Sequence, residues 1–224
     1  MTALLASVAI LASRTPSPAL ACSSVLVAGL YAVGPLPIAG LWPLAGLLAL
    51  AIAAVYALSR GELRAWRSWL RIGRLRWDTW LWLFCMIAVT AFALLLWSNL
   101  TGGSLPPAYR EAARSVSPEA AAAGGLIFLV LNGLVEDAVF FGVVLTAALT
   151  HLPPRTAIVV TSIAFGIGHF AGVPGGYIGV VMAAVWAILL AALRVRTGGM
   201  LATYLAHVAA DATIVAILLP RAIG

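Results

Sequence analysis

The stretch Gly133-Leu134-Val135-Glu136-Asp137-Ala138-Val139-Phe140-Phe141-Gly142 sets two adjacent carboxylates inside a run that is otherwise uncharged from Ala120 to Leu149. A helix over that run is long enough to cross a bilayer, for which about 20 residues at about 1.5 Å each suffice. It carries no basic residue to offset the acids. An acid at membrane depth costs roughly 2.5–3.5 kcal/mol on insertion scales, so a pair of them marks a working site by default. The rest of the chain is read for what meets this pair.

Composition limits the choices. Of 224 residues, 63% are hydrophobic and only 9% charged, and the mean hydropathy is +1.09. A soluble domain could not hide so much apolar surface, so the chain is read as an integral membrane protein. Its 13 basic residues are all arginine and outnumber seven acids, giving +6. Most of the arginines flank hydrophobic runs, which points to membrane topology and away from nucleic acid. Cys22 and Cys85 fall in expected spans and read as packing residues. No basic segment precedes the first apolar run, so no cleaved signal peptide is expected.

Taken in order, the chain predicts an all-α polytopic membrane protein of about seven transmembrane helices. Ala3–Ala12 is too short to span and reads as an interfacial piece, with an eighth span as the alternative. Spans are expected over Ala19–Val33, Ile38–Leu58, Thr79–Trp97, the acid-bearing run after Pro118, Thr156–Ala171, Tyr177–Leu193 and Met200–Leu219. Between the second and third lies a basic loop, residues 60–78, with Arg60, Arg64, Arg67, Arg71, Arg74 and Arg76 interleaved with Trp66, Trp69 and Trp77. That mixture predicts a helix lying among lipid headgroups on the cytoplasmic side. Arg14, the 60–78 loop, Arg155, Arg194 and Arg196 then share that side, as positive-inside bias requires. Ser117-Pro118 reads as a helix cap followed by proline at the first helical position. Residues 1–117 are expected to form the N-terminal helices and 118–224 the functional core of one membrane domain.

After Pro118 the spans hold five ionisable residues: Glu136, Asp137, His169, His207 and Asp211. His207 and Asp211 stand at i and i+4 on one helical face, with Tyr204 three residues before. Phe165 and His169 repeat that spacing, and Asn132 lies one turn before Glu136, where it could orient the carboxylate. Either histidine alone would be an ordinary interhelical hydrogen-bonding residue. Three acids and two histidines on three helices suggest chemistry. A carboxylate in an apolar site can act as a general base, a histidine can hold the far side of a water, and a second histidine with a nearby acid can donate to an oxyanion if one of them carries the proton. Together these describe hydrolysis of a peptide bond within the membrane.

The motifs resemble those of the CPBP family (CAAX proteases and bacteriocin-processing enzymes, the type II CAAX prenyl endopeptidase group). That pattern runs Glu-Glu-x-x-x-Arg, Phe-x-x-x-His and His-x-x-x-Asn or Asp. Here it reads Glu136-Asp137-Ala-Val-Phe-Phe141, Phe165-Gly-Ile-Gly-His169 and His207-Val-Ala-Ala-Asp211. The resemblance implies that Glu136 activates water with help from His169, while His207 and Asp211 bind the oxyanion or position the carbonyl. Asp137, Asn132, Tyr204 and Phe165 would support them. No cofactor is expected, because each residue has a role in the water mechanism; the alternative is zinc, for which Glu136, His169, His207 and Asp211 would be acceptable ligands. Two departures stand out: Asp137 replaces the second Glu, and Phe141 replaces the Arg, so Asp137 lacks a basic partner on its own helix.

The implied substrate is a membrane-anchored protein, cut near a C-terminal sorting or anchor segment, at mid-depth or in the outer half of the bilayer. A bacterial cytoplasmic membrane suits the arginine-, alanine- and glycine-rich composition. Two rivals follow from the same residues: a proton- or metal-coupled transporter, and a non-catalytic relative acting as a chaperone or immunity factor.

Overall fold

The computed structural model describes residues 17–33, 42–61 and 67–224, and these are helical without strands. The Ala3–Ala12 segment lies outside the described residues. Helix α1 runs Pro18–Val33, α2 Trp42–Ser59, α3 Trp77–Thr101 and the short α4 Pro107–Arg114. Helix α5 covers Pro118–Leu149, followed by α6 Pro154–Gly168, α7 Gly176–Thr197 and α8 Leu201–Ile223. Five of these, α2, α3, α5, α7 and α8, are long and apolar enough to cross a membrane. The seven expected spans are thus five by this measure. The other two, α1 and α6, are helices of 16 and 15 residues, shorter than a straight crossing needs.

Helix α5 is at the centre. Ser117 caps it, its hydroxyl accepting from the Ala120 amide at 3.3 Å, and Pro118 takes the first helical turn. It packs against α2 on one side and α8 on another, while α1 touches its C-terminal part and α6 pairs with α7. From Asp137 to Val144 the helix widens into π geometry before closing again at Leu145–Leu149. Such widened turns are rare and gather at functional sites. The turn begins at the second of the two acids.

Two apolar clusters flank α5. One joins Phe141, Leu145, Phe165 and Ala187 with residues of α3, α7 and α8. The other joins Leu26, Ala49, Val135, Val139 and Val143 with Trp69. Trp69 corrects the expectation of an interfacial helix over the basic loop. The described part of that loop is a single 3-10 turn, Arg67–Trp69, followed by non-helical backbone to Arg76. Trp69 turns inward, 6% exposed, over Gly142, where a methyl group would come within 2.8 Å of the indole. The strand-like stretch then lies along the turn between α7 and α8. The Met200 amide donates to the Arg71 carbonyl at 2.7 Å, and the Arg74 amide to the Thr197 carbonyl at 2.9 Å. Arg196 pairs with Asp78 on the same end and lies over Trp82. The described part of the loop is a strap on the core, and Arg67, Arg71, Arg74 and Arg76 are exposed on it.

The opposite end is tied by different contacts. Arg114 of α4 donates to the Ala222 carbonyl at 2.7 Å, and Arg221 of α8 to Ser98 of α3. The Trp42 amide donates to the Tyr109 hydroxyl at 3.1 Å, joining α2 to α4.

Candidate active site

Five side chains that the sequence singles out converge. Glu136 and Asp137 come from α5, His207 and Asp211 from α8, and His169 from the 3-10 turn His169–Ala171 that ends α6. All but His169 are buried. Gly133 of α5 lies against His207 and Val208 of α8, where an added methyl would make only ordinary contact. Between them, α5 and α8 account for every carboxylate in the cluster.

Glu136 is the common neighbour. Its Oε2 lies 3.2 Å from His207 Nε2 and 3.8 Å from His169 Nε2. Neither approach has the alignment of a hydrogen bond, so Oε2 keeps no such partner. His169 Nδ1 donates to the Phe165 carbonyl at 3.0 Å, because a carbonyl can only accept. That fixes the ring, and in the neutral form the Nε2 lone pair faces Glu136. Phe165 also stacks on the His169 ring, with centroids 4.4 Å apart.

Asn132 differs from expectation, while Asp137 finds on another helix the donor that its own helix lacks. Asp137, expected to lack a partner on its own helix, accepts from His207 Nδ1 at 2.8 Å across to α8. Asn132 shares the cavity wall with Glu136 but donates from Nδ2 to Asp211 Oδ2 at 3.0 Å. Phe141, standing where the resembled motif has arginine, is fully buried and stacked on Phe165. The Tyr204 hydroxyl donates to the Val130 carbonyl of α5 at 3.3 Å, which braces α8 against α5 away from the carboxylates.

A cavity of about 980 Å³ reaches the cluster. Glu136, His169, Asp211 and Asn132 stand on its wall, while His207 and Asp137 lie behind Glu136. The remaining lining is mostly apolar and comes from α2, α4 with the residues before it, α5, α8 and the turn that ends α6. Two residues of this wall were not singled out in the sequence. Trp42 shares this wall with Glu136, and its buried indole Nε1 has no hydrogen-bond partner. Tyr109 of α4 accepts from the Trp42 amide and packs edge-on against Phe128. Burial pushes its phenol above the ordinary range, so it keeps its proton at neutral pH. A tryptophan opening an apolar run and a tyrosine in a polar loop carry no signal of this in one sequence.

A zinc ion would need three or four of these groups aimed at one point. Among the described residues no three His, Cys, Asp or Glu side chains are so arranged. Carboxylates meet both ring nitrogens of His207, and Asn132 engages Asp211.

No curated protein and no solved structure matches the chain. One family does, described as type II CAAX prenyl endopeptidase Rce1-like, over residues 118–213. That segment begins at the capped start of α5 and ends just past Asp211, so it holds every carboxylate and imidazole of the cluster. Over residues 118–213, a little under half of its length, this integral membrane chain is thus similar to the Rce1-like type II CAAX prenyl endopeptidase family.

Proposed function

We propose that the chain is an intramembrane endopeptidase that cuts a membrane-anchored protein with a water activated by Glu136. The observation that carries this reading is the pairing of Glu136 Oε2 with His169 Nε2 at 3.8 Å on the wall of an apolar cavity. Both are acceptors when Glu136 is ionised and His169 neutral, and a water donating to both satisfies them. Glu136 takes the water proton as the oxygen attacks the scissile carbonyl carbon. The tetrahedral intermediate collapses by breaking the C–N bond, and Glu136 returns the proton to the leaving amine. Asn132 and Asp211, the latter in its protonated form, face the developing oxyanion from the cavity wall. His207 lies behind Glu136, off the cavity wall, and takes no direct part in binding the oxyanion. This differs from the role the family resemblance implies for it.

In this reading α1 and α6 complete seven crossings, and the arginine-rich end faces the cytoplasm of a bacterial cell. The cavity then opens towards the outer leaflet beneath α4, which suits the sorting or anchor segment of an exported protein. The mechanism is metal-free.

The test is to delete the gene and search membrane proteins by mass spectrometry for termini left uncut. Glu136→Gln should lower restored cutting roughly 10²–10⁴-fold, the usual worth of a general base; full restoration would remove Glu136 from the mechanism. A chelator should leave cutting in isolated membranes unchanged. Loss of cutting that added zinc restores would overturn the metal-free reading.

A further inference from the structure

We propose that Asp137 is a positioning residue, which grips His207 by Nδ1 and so aims Nε2 at Glu136. The proposal rests on the reading above, in which Glu136 does the chemistry.

Its basis is a line of three groups. Asp137 Oδ1 lies 2.8 Å from His207 Nδ1, and His207 Nε2 lies 3.2 Å from Glu136 Oε2. Only Glu136 of the three stands on the cavity wall. Asp137 therefore never touches substrate and can act only through His207. A carboxylate oxygen accepts, so the proton of that hydrogen bond sits on Nδ1. Nε2 also faces a carboxylate oxygen, so it too must carry a proton to attract Glu136, and Asp137 is the group that keeps the second proton on Nδ1. With Nδ1 held, the ring can neither rotate about its side chain nor exchange nitrogens, and Glu136 has a neighbour of fixed geometry.

The local sequence explains why Asp137 turns this way. Phe141, one turn on, is sealed in the apolar cluster against Phe165, and no cation on α5 competes for the acid. The π segment starts at Asp137 itself. Adjacent carboxylates of one helix are thereby divided between the two nitrogens of one histidine on another.

The test uses the full chain in lipid nanodiscs with 15N-labelled histidine. The protein has three histidines, so the ring nitrogens of His151, His169 and His207 are separable, with His207→Gln assigning its own set. In the unaltered protein His207 Nδ1 should carry a proton. Asp137→Leu should strip it, leaving the other two histidines as they were. Asp137→Asn, whose amide oxygen still accepts, should retain it. In the deletion strain the leucine variant should cut roughly 10- to 100-fold less, the usual cost of losing a carboxylate that orients a working histidine, and the asparagine variant should recover most of that loss. A protonated Nδ1 in Asp137→Leu overturns the proposal, and so does equal loss of cutting in the two variants. Where Asp137→Leu fails to fold, Asp137→Ala is read in its place. Full cutting by Glu136→Gln would sink the hydrolytic reading instead, and the Nδ1 signal would still report the Asp137–His207 bond.

Discussion

Asp211 depends on a single amide. Its Oδ2 is buried between α5 and α8 and accepts from Asn132 Nδ2 at 3.0 Å. Removing that donor leaves a buried acceptor unsatisfied, which costs about 1–3 kcal/mol. Asn132→Ala should therefore lower the unfolding midpoint in detergent measurably. Asn99→Ala, at an exposed position of α3, should stay within about 0.5 kcal/mol of the parent. Equal midpoints for the two variants would show that the Asn132–Asp211 bond contributes nothing. Helical spacing put Asn132 on the face of Glu136, and that much is correct, since both stand on the cavity wall. Spacing within one helix cannot say which carboxylate of a neighbouring helix arrives first. Asp137 is the same lesson: the partner missing from its own helix is supplied by α8.

Among the elements, the strap over 70–76 was the least legible. Arginine and tryptophan alternate in the same way whether the rings lie in headgroups or, as Trp69 does, under a helix. What fixes the strap is backbone contact between two glycines. Gly73 has φ +91, and a methyl on Gly199 would sit 2.1 Å from the Gly73 nitrogen. Gly199→Ala should thus lift the strap from the α7–α8 turn and destabilise the fold by more than Gly61→Ala. Gly61 also has positive φ, but nothing lies within 4 Å of its absent side chain, so its cost should be the roughly 1–2 kcal/mol of backbone strain alone. Thermal unfolding of the two variants side by side decides this, and an equal loss would mean that the strap yields freely. A second contribution from the N-terminal helices is the Trp42 indole, whose buried, unpartnered N–H lies on the cavity wall that Glu136 shares. Trp42→Phe keeps the ring and deletes the donor; it should slow cutting by about tenfold, worth near 1.4 kcal/mol, with the unfolding midpoint held.

Over the whole molecule, the sequence was most informative where a property repeats. Hydrophobic length located the five long spans, and the order of Glu136, His169, His207 and Asp211 located the cluster, because each motif has one helical turn to fix its spacing. Contacts between the N-terminal helices and the cavity were not readable, since they depend on how helices far apart in sequence are set side by side. The arginine distribution adds a prediction that spans the full fold. The end bearing Arg71, Arg74, Arg155, Arg194 and Arg196 and the end bearing α4 are joined by α5, so they must lie on opposite sides of any membrane that α5 crosses once. In a background lacking Cys22 and Cys85, single cysteines at the exposed positions Ser115 and Arg155 bracket that helix. Positive-inside bias puts Ser115→Cys outside, where a membrane-impermeant maleimide should label it in intact cells. Arg155→Cys should react only once the membrane is opened. The reverse pattern would turn the cavity towards the cytoplasm and overturn the outer-leaflet substrate. Labelling of both from one side would mean that α5 does not cross.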